Sequence, residues 1–276
     1  MKPEDLLQSD IKLFSMPTIV TELNLMVSTG SSREIGHLIA TDAGLTARLL
    51  RVANSGFYAS TKEITTLDQA VTMVGTRQLV NLVMATVAVN RFASIRQDLI
   101  DMETFWQSSV IMSVAADMLA EAAHSRERGP LFLAGLLHDL GSLILYSKEP
   151  EKSQAILLEA EGVRARLPEL QRREFGFTYA DLGAALARLW KLPETVELLL
   201  RLQLMPLDSD EHSPESRLMR LAGLVTTGLV DGQAVEDVCA AAELEGQGAC
   251  PLPAEAIAHV MDNVQERATQ LYGSLI

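Results

Sequence analysis

The sequence predicts an all-α protein, and three observations carry that prediction. Apolar residues recur at spacings of three and four in nearly every segment longer than two helical turns, and sustained period-two alternation is hard to find. The composition, 48% apolar with 21% charged residues, describes a chain that buries a core. At 276 residues it is long enough to do so without disulfide or metal staples.

Taken in order, Thr18 to Val27 follows Pro17 and places Ile19, Leu23, Met26 and Val27 on one face. Ser32 is the expected N-cap of a short helix through Ile39, and Asp42 or Gly44 opens another carrying Leu45, Leu49, Leu50 and Val52. Asn54-Ser55-Gly56 signals a turn, with Asn54 and Ser55 read as a helix cap or part of a binding surface, the cap being favoured. Thr66-Leu67-Asp68-Gln69 fits a capping box, and Gly75 fits the residue just past that helix. Thr76 to Phe92 is apolar around nearly its whole circumference and should sit centrally.

The polar run Ala93 to Glu103 reads as a hinge between two helical subdomains. Beyond it the pattern gives a helix from about Thr104 to His124, a charged loop from Ser125 to Pro130, and a helix or helix pair through His138-Asp139. Further helices follow Pro150, cover Tyr179 to Trp190 and start at Pro193. Leu207 to Pro214 reads as an acidic surface loop. Three helices are expected after it, near Arg217 to Val230, Ala234 to Leu244 and Ala254 to Tyr272, the last two split by the segment Glu245 to Pro253. The resulting division is 1–95, 96–206 and a C-terminal extension, 207–276.

Charge and composition exclude several function classes. Thirty-six acidic against 23 basic residues leave a net charge of −13, which disfavours a sequence-independent grip on phosphate backbones. The first residues lack the apolar core and cleavage site of a signal peptide, and the longest apolar run, Leu79 to Val89, is too short to span a bilayer. A cytoplasmic protein without direct membrane or nucleic-acid contact is the expectation. Cys239 and Cys250 lack the spacing of a zinc or redox motif and are expected as reduced thiols. Eleven scattered methionines, Trp106 and Trp190 read as core.

One stretch stands apart. Gly135-Leu136-Leu137-His138-Asp139-Leu140-Gly141 sets a histidine beside an aspartate inside an apolar run, where polar groups are costly unless paired. Imidazole and carboxylate are both metal ligands, so the pair could be part of a metal site. Two ligands do not make one. The alternative is a satisfied buried pair, His138 donating to a backbone carbonyl and Asp139 accepting from N–H groups.

The order of motifs resembles the HDOD family, the HD-related output domain, a non-catalytic relative of the HD phosphohydrolases. The resemblance rests on Met16-Pro17, on Ile39 through Asn54-Ser55, on Ala70 to Gly75, on Phe105-Trp106-Gln107-Ser108-Ser109, on Gly135 to Gly141, and on Glu174 to Gly183 followed by Trp190-Lys191-Leu192-Pro193. It spans Leu13 to Met205. The resemblance implies a multi-helix HD-like bundle with an N-terminal helical subdomain packed against it.

Departures from the catalytic pattern bear on chemistry. Relative to catalytic HD enzymes, Ser108 stands in place of a histidine, Ser142 in place of a lysine, Tyr179 in place of another histidine, and Gln203-Leu204 where His-His is frequent. There is no Gly-Tyr-Pro triplet. His37, His124, His212 and His259 fall in segments read as surface or peripheral. A hydrolase needs enough ligands to fix an ion and activate water, and His138 with Asp139 alone does not suffice. The implied function is therefore a non-catalytic signalling module acting through protein partners. Its vestigial metal pocket would be shaped by His138, Asp139, Ser108, Tyr179 and Gln203, with Asn54 and Ser55 as further structural candidates. No cofactor is required, though a residual divalent metal is compatible with the pocket. The alternatives are a divergent metal-dependent phosphohydrolase and a nucleotide or small-ligand sensor.

Overall fold

The computed structural model describes residues 2–8, 18–26, 31–58, 63–93, 99–246 and 250–276. The first part of the chain forms α1 (Pro3–Gln8), α2 (Thr18–Met26), α3 (Ser32–Ala40), α4 (Ala43–Ala53), a 3₁₀ turn (Gly56–Tyr58), α5 (Leu67–Val74) and α6 (Thr76–Ala93). The middle forms α7 (Met102–Ala122), α8 (Arg128–Leu137), α9 (Leu140–Lys148), α10 (Pro150–Ala160), a 3₁₀ turn (Arg164–Arg166), α11 (Leu167–Phe175), α12 (Tyr179–Leu189) and α13 (Glu194–Leu202). The last part forms α14 (Pro214–Val230), α15 (Val235–Gly246) and α16 (Ala254–Leu275). No strand occurs among the described residues, so the chain is all-α. Met16-Pro17, residues 94–98 of the 93–103 hinge and residues 247–249 of the 245–253 segment lie outside the described residues.

Several helix starts follow directly from local chemistry. Thr66 accepts from the Gln69 N–H while the Gln69 side chain accepts from the Thr66 N–H, the expected capping box. Asp42, not Gly44, caps α4 through the Leu45 N–H at 2.9 Å. The cap of α3 is Ser31, one residue before the expected Ser32, because Glu34 completes a capping box only from three residues downstream. Gly75 closes α5 at φ 85°, the left-handed region that favours glycine. Three residues read as loop, Arg128 to Pro130, form the first turn of α8, where a proline sacrifices no hydrogen bond. α1 and α11 had no counterpart in the sequence reading.

α7 is the central helix, buried along most of its length and packed on α8, α14 and α16. α6 sits where the parts meet, against α2, α4 and α5 on one side and α8 on the other. The C-terminal α16 packs on α7 and also on α4 and the first 3₁₀ turn, so it ties the first part of the chain to the middle. One continuous stretch among the described residues, Arg128–Lys148, is long and apolar enough to cross a membrane by composition, and 94% of it is buried inside the bundle.

Two glycines set how tightly the central helices approach. A Cβ on Gly135 would lie 2.6 Å from the Ser113 Cα, so α8 packs backbone to backbone on α7. A Cβ on Gly141 would lie 2.0 Å from the Tyr179 carbonyl oxygen, so α9 abuts the start of α12 just as closely. The glycines at either end of the His138-Asp139 stretch are therefore packing residues that fix the segment between them.

Candidate functional site

The helical run breaks at His138 and Asp139, which form the junction between α8 and α9. A break inside a buried run exposes backbone carbonyls that need partners. Gln203, at the end of α13 and itself buried, donates its amide Nε2 to the His138 carbonyl at 3.0 Å and to the Leu200 carbonyl at 3.0 Å. The glutamine standing where relatives often carry histidine thus supports the break.

The His138 ring bonds the Gly135 carbonyl through Nδ1 at 2.9 Å. A carbonyl only accepts, so Nδ1 carries the proton and Nε2 keeps its lone pair. Burial lowers the His138 pKa from its ordinary value of 6.5; neighbouring Asp139 raises it and Arg164 lowers it further. The imidazole is neutral at neutral pH.

Asp139 is engaged on both oxygens. The Ser142 hydroxyl donates to Oδ1, and the Arg164 guanidinium donates to Oδ2 at 2.7 Å. Arg164 arrives from the 3₁₀ turn 25 residues further along the chain. The Asp139 carboxylate in turn raises the pKa of Arg164 against the opposing effect of burial. Nearby, burial pushes the Tyr146 phenol up to about 12, and the Asp139 carboxylate adds to that rise. The partners of Asp139 are thus a guanidinium and a hydroxyl, where the sequence suggested backbone N–H groups.

His138 and Asp139 face a cavity of about 420 Å³ whose wall also contains Ser108, Tyr179 and Gln203. Those five residues, far apart in sequence, are brought together. Arg164, Arg172, Arg220, Glu169, Asp231, Thr226 and Thr227 complete its polar lining. Burial raises the Tyr179 pKa, so its phenol stays protonated. Asn54 and Ser55 lie elsewhere. The Asn54 amide donates to the Leu50 and Ile64 carbonyls and its Oδ1 accepts from the Ile64 N–H, while the Ser55 hydroxyl donates to the Val52 carbonyl. Both end α4 and pin the following segment.

His212 departs from the sequence reading. It is 7% exposed, with Nδ1 against the Ser216 hydroxyl at 2.9 Å and Nε2 against the Met205 carbonyl at 3.2 Å. It pins the acidic loop to the start of α14, because a polar ring inside a turn satisfies groups that the turn leaves free. Sequence reasoning also missed Arg164, which lies in no motif and has no fixed spacing to Asp139. Ser142 was legible only as a substitution.

Comparison with known proteins agrees with this architecture. A structure from Shewanella amazonensis SB2B, provisionally called a phosphohydrolase, superposes with a TM-score of 0.81 at 22% identity, covering 98% of each chain. An HDOD domain protein of unknown function from Geobacter sulfurreducens gives a TM-score of 0.76 at 18% identity, over 96% of this chain and 98% of that one. A protein of Marinobacter aquaeolei VT8, provisionally assigned to signal transduction, gives 0.72 at 21% identity, over 99% of this chain and 65% of that one. An uncharacterized protein of Treponema pallidum (strain Nichols) is 28% identical over 233 residues, which are 83% of this chain but only 44% of that relative's length. The HDOD domain model matches residues 13–204, most of the chain, and the chain therefore belongs to the HDOD domain family.

Proposed function

We propose that this chain is a non-catalytic signalling module that works by recognising other proteins, its HD pocket kept as a structural element. The observation that carries this reading is the Arg164 guanidinium on the Asp139 carboxylate. A divalent ion would have to compete with that guanidinium and with Ser142 for the same two oxygens. Among the described residues no group of three or more His, Cys, Asp or Glu could hold such an ion. Catalytic water activation needs a fixed ion with an open position, and this donor set does not fit one. The Marinobacter neighbour's provisional assignment to signal transduction agrees with a regulatory role. The Shewanella neighbour's provisional name offers the rival, phosphoester hydrolysis, at an identity that reports fold alone.

The test is a manganese titration of the purified chain by calorimetry, paired with turnover of bis-p-nitrophenyl phosphate in manganese. Expected are no stoichiometric binding and no turnover. Stoichiometric manganese binding with turnover, both lost in His138→Ala, would replace this reading with the hydrolase. Tagged full-length protein is expected to bring down a defined protein from its native host, and a second purification from that host with no protein retained would remove the recognition role.

A further inference from the structure

A second cavity, about 950 Å³, shares no wall residue with the one holding His138 and Asp139. It opens where the α5–α6 turn, the start of α8, the segment before α13 and α16 converge. In a chain of net charge −13 its wall gathers Arg77, Arg126, Arg128, Lys191 and Arg267, against only Asp117 and Glu127 as acids. Arg128 is committed to Asp117 and Glu121. Arg267 lies 3.8 Å from Glu121 and over the Phe57 ring. Arg77 and Arg126 are exposed and make no ion pair among the described residues.

The backbone adds to this field. α6 begins at Thr76 and α8 at Arg128, both in the wall, so two sets of first-turn N–H groups and two positive helix ends meet there. Glu127, at the N-cap of α8, makes no side-chain cap bond.

Two polar side chains deep in the wall add to this. Asn81 is 6% exposed, lines the cavity and hydrogen-bonds to no described residue. It lies against the α8 start, where a Cβ on Gly129 would fall 2.2 Å from its Nδ2. The Tyr58 hydroxyl is buried in the same wall, near Gln78 yet without a hydrogen bond of proper geometry. A buried hydroxyl of this kind is normally satisfied, and with the Asn81 amide beside it on a cationic cavity it makes a preformed set of ligand contacts. Phe57, Met73 and Met84 supply an apolar face beside it.

We propose that this groove binds a small phosphate-bearing ligand of nucleotide size. The phosphate would be held by the α8 start with Arg77 and Arg126, and the ring system would lie on the apolar face. Its volume is at the upper end for small-molecule pockets. The inference is independent of whether the HD pocket is catalytic.

The test is calorimetry and thermal shift on the full chain with inorganic phosphate and with adenosine and guanosine 5′-mono- and triphosphates. Expected is saturable binding of at least one nucleotide, weakened by salt and by competing phosphate, with a raised unfolding midpoint. The double variant Arg77→Ala/Arg126→Ala should weaken it at least about tenfold, as loss of charge-assisted phosphate contacts does. Both side chains are exposed and unpaired, so the unliganded midpoint should not move. Arg172→Ala, in the other cavity, should bind as the parent does. The proposal fails if no nucleotide binds, if only inorganic phosphate binds, if the double variant binds unchanged, or if Arg172→Ala alone abolishes binding.

Discussion

The molecule meets a buried aspartate with an arginine in two places, and the two solutions differ. Asp117, on α7, receives a fork from Arg128, Nε at 3.1 Å and Nη2 at 2.8 Å, while Nη1 reaches Glu121 at 3.0 Å. Asp139 receives one nitrogen of Arg164 and gives its other oxygen to Ser142. The Asp117 side chain is 3% exposed and Asp139 8%, so each would be costly to leave alone. The first pair fastens two successive helices, since Arg128 is the first residue of α8. The second joins the α8–α9 junction to the 3₁₀ turn Arg164–Arg166. One is a strut between helices, the other a cation brought to the wall of a cavity.

Removing the fork should have the largest effect. Arg128→Ala strands a buried carboxylate, and the usual cost for a fully buried pair, about 3–5 kcal/mol, falls to about 2–3 kcal/mol because water already reaches the guanidinium. Urea unfolding measures it, and a cost comparable to a surface pair would show that the fork is not a strut. Arg164→Ala should cost less, about 1–2 kcal/mol, since its side chain is 49% exposed. Asp139→Asn in the same chain should restore part of that loss, because no charge is then left unpaired. Strict additivity in the double-mutant cycle would deny the pairing.

A third effect belongs to the pocket alone. The folded pKa of His138 lies below its ordinary 6.5, so below that pH the unfolded chain takes up a proton that the folded one refuses. Stability should therefore fall with acidification from pH 6.5 down to the folded pKa, by at most about 1.4 kcal/mol per pH unit, and hold above it. His138→Gln should flatten the profile over that window relative to the parent, and parallel profiles would show that the buried ring does not titrate as described. The smallest expected change is Gln203→Leu, which removes the donor to the His138 carbonyl and should cost about 1 kcal/mol. A neutral outcome there would mean that the helix break needs no support from α13.

Legibility in the sequence tracked how local each cause is. The capping box at Thr66 and the Gly75 stop depend on residues within one turn of each other, and the helices they bound follow from apolar spacing, whereas the capping box at Thr178 emerges only from the structure. The Ser31 cap was misplaced by one residue because two serines adjoin and only the reach of Glu34 separates them. His138 and Asp139 stood out because adjacent polar residues inside an apolar run are rare, and the carbonyl bond of His138 fits the satisfied-pair reading. Arg164 did not stand out, since an arginine in a short polar turn looks like any surface cation until the fold brings it to Asp139. His212 was lost in the same way, read with its charged neighbours as solvated loop.

What the chain determined alone was the helical class, most helix bounds, the family pattern and the buried His-Asp pair, all set by contacts within a few residues or by burial preference. Folding decided which cation meets Asp139, that Ser108, Tyr179 and Gln203 share one cavity, and that a net-acidic chain gathers basic residues at two helix starts. Those outcomes join segments dozens of residues apart. Local spacing carries no record of such distances; the packing of α8 and α9 on α7, α12 and α13, and of α16 across the first part of the chain, brings them into range.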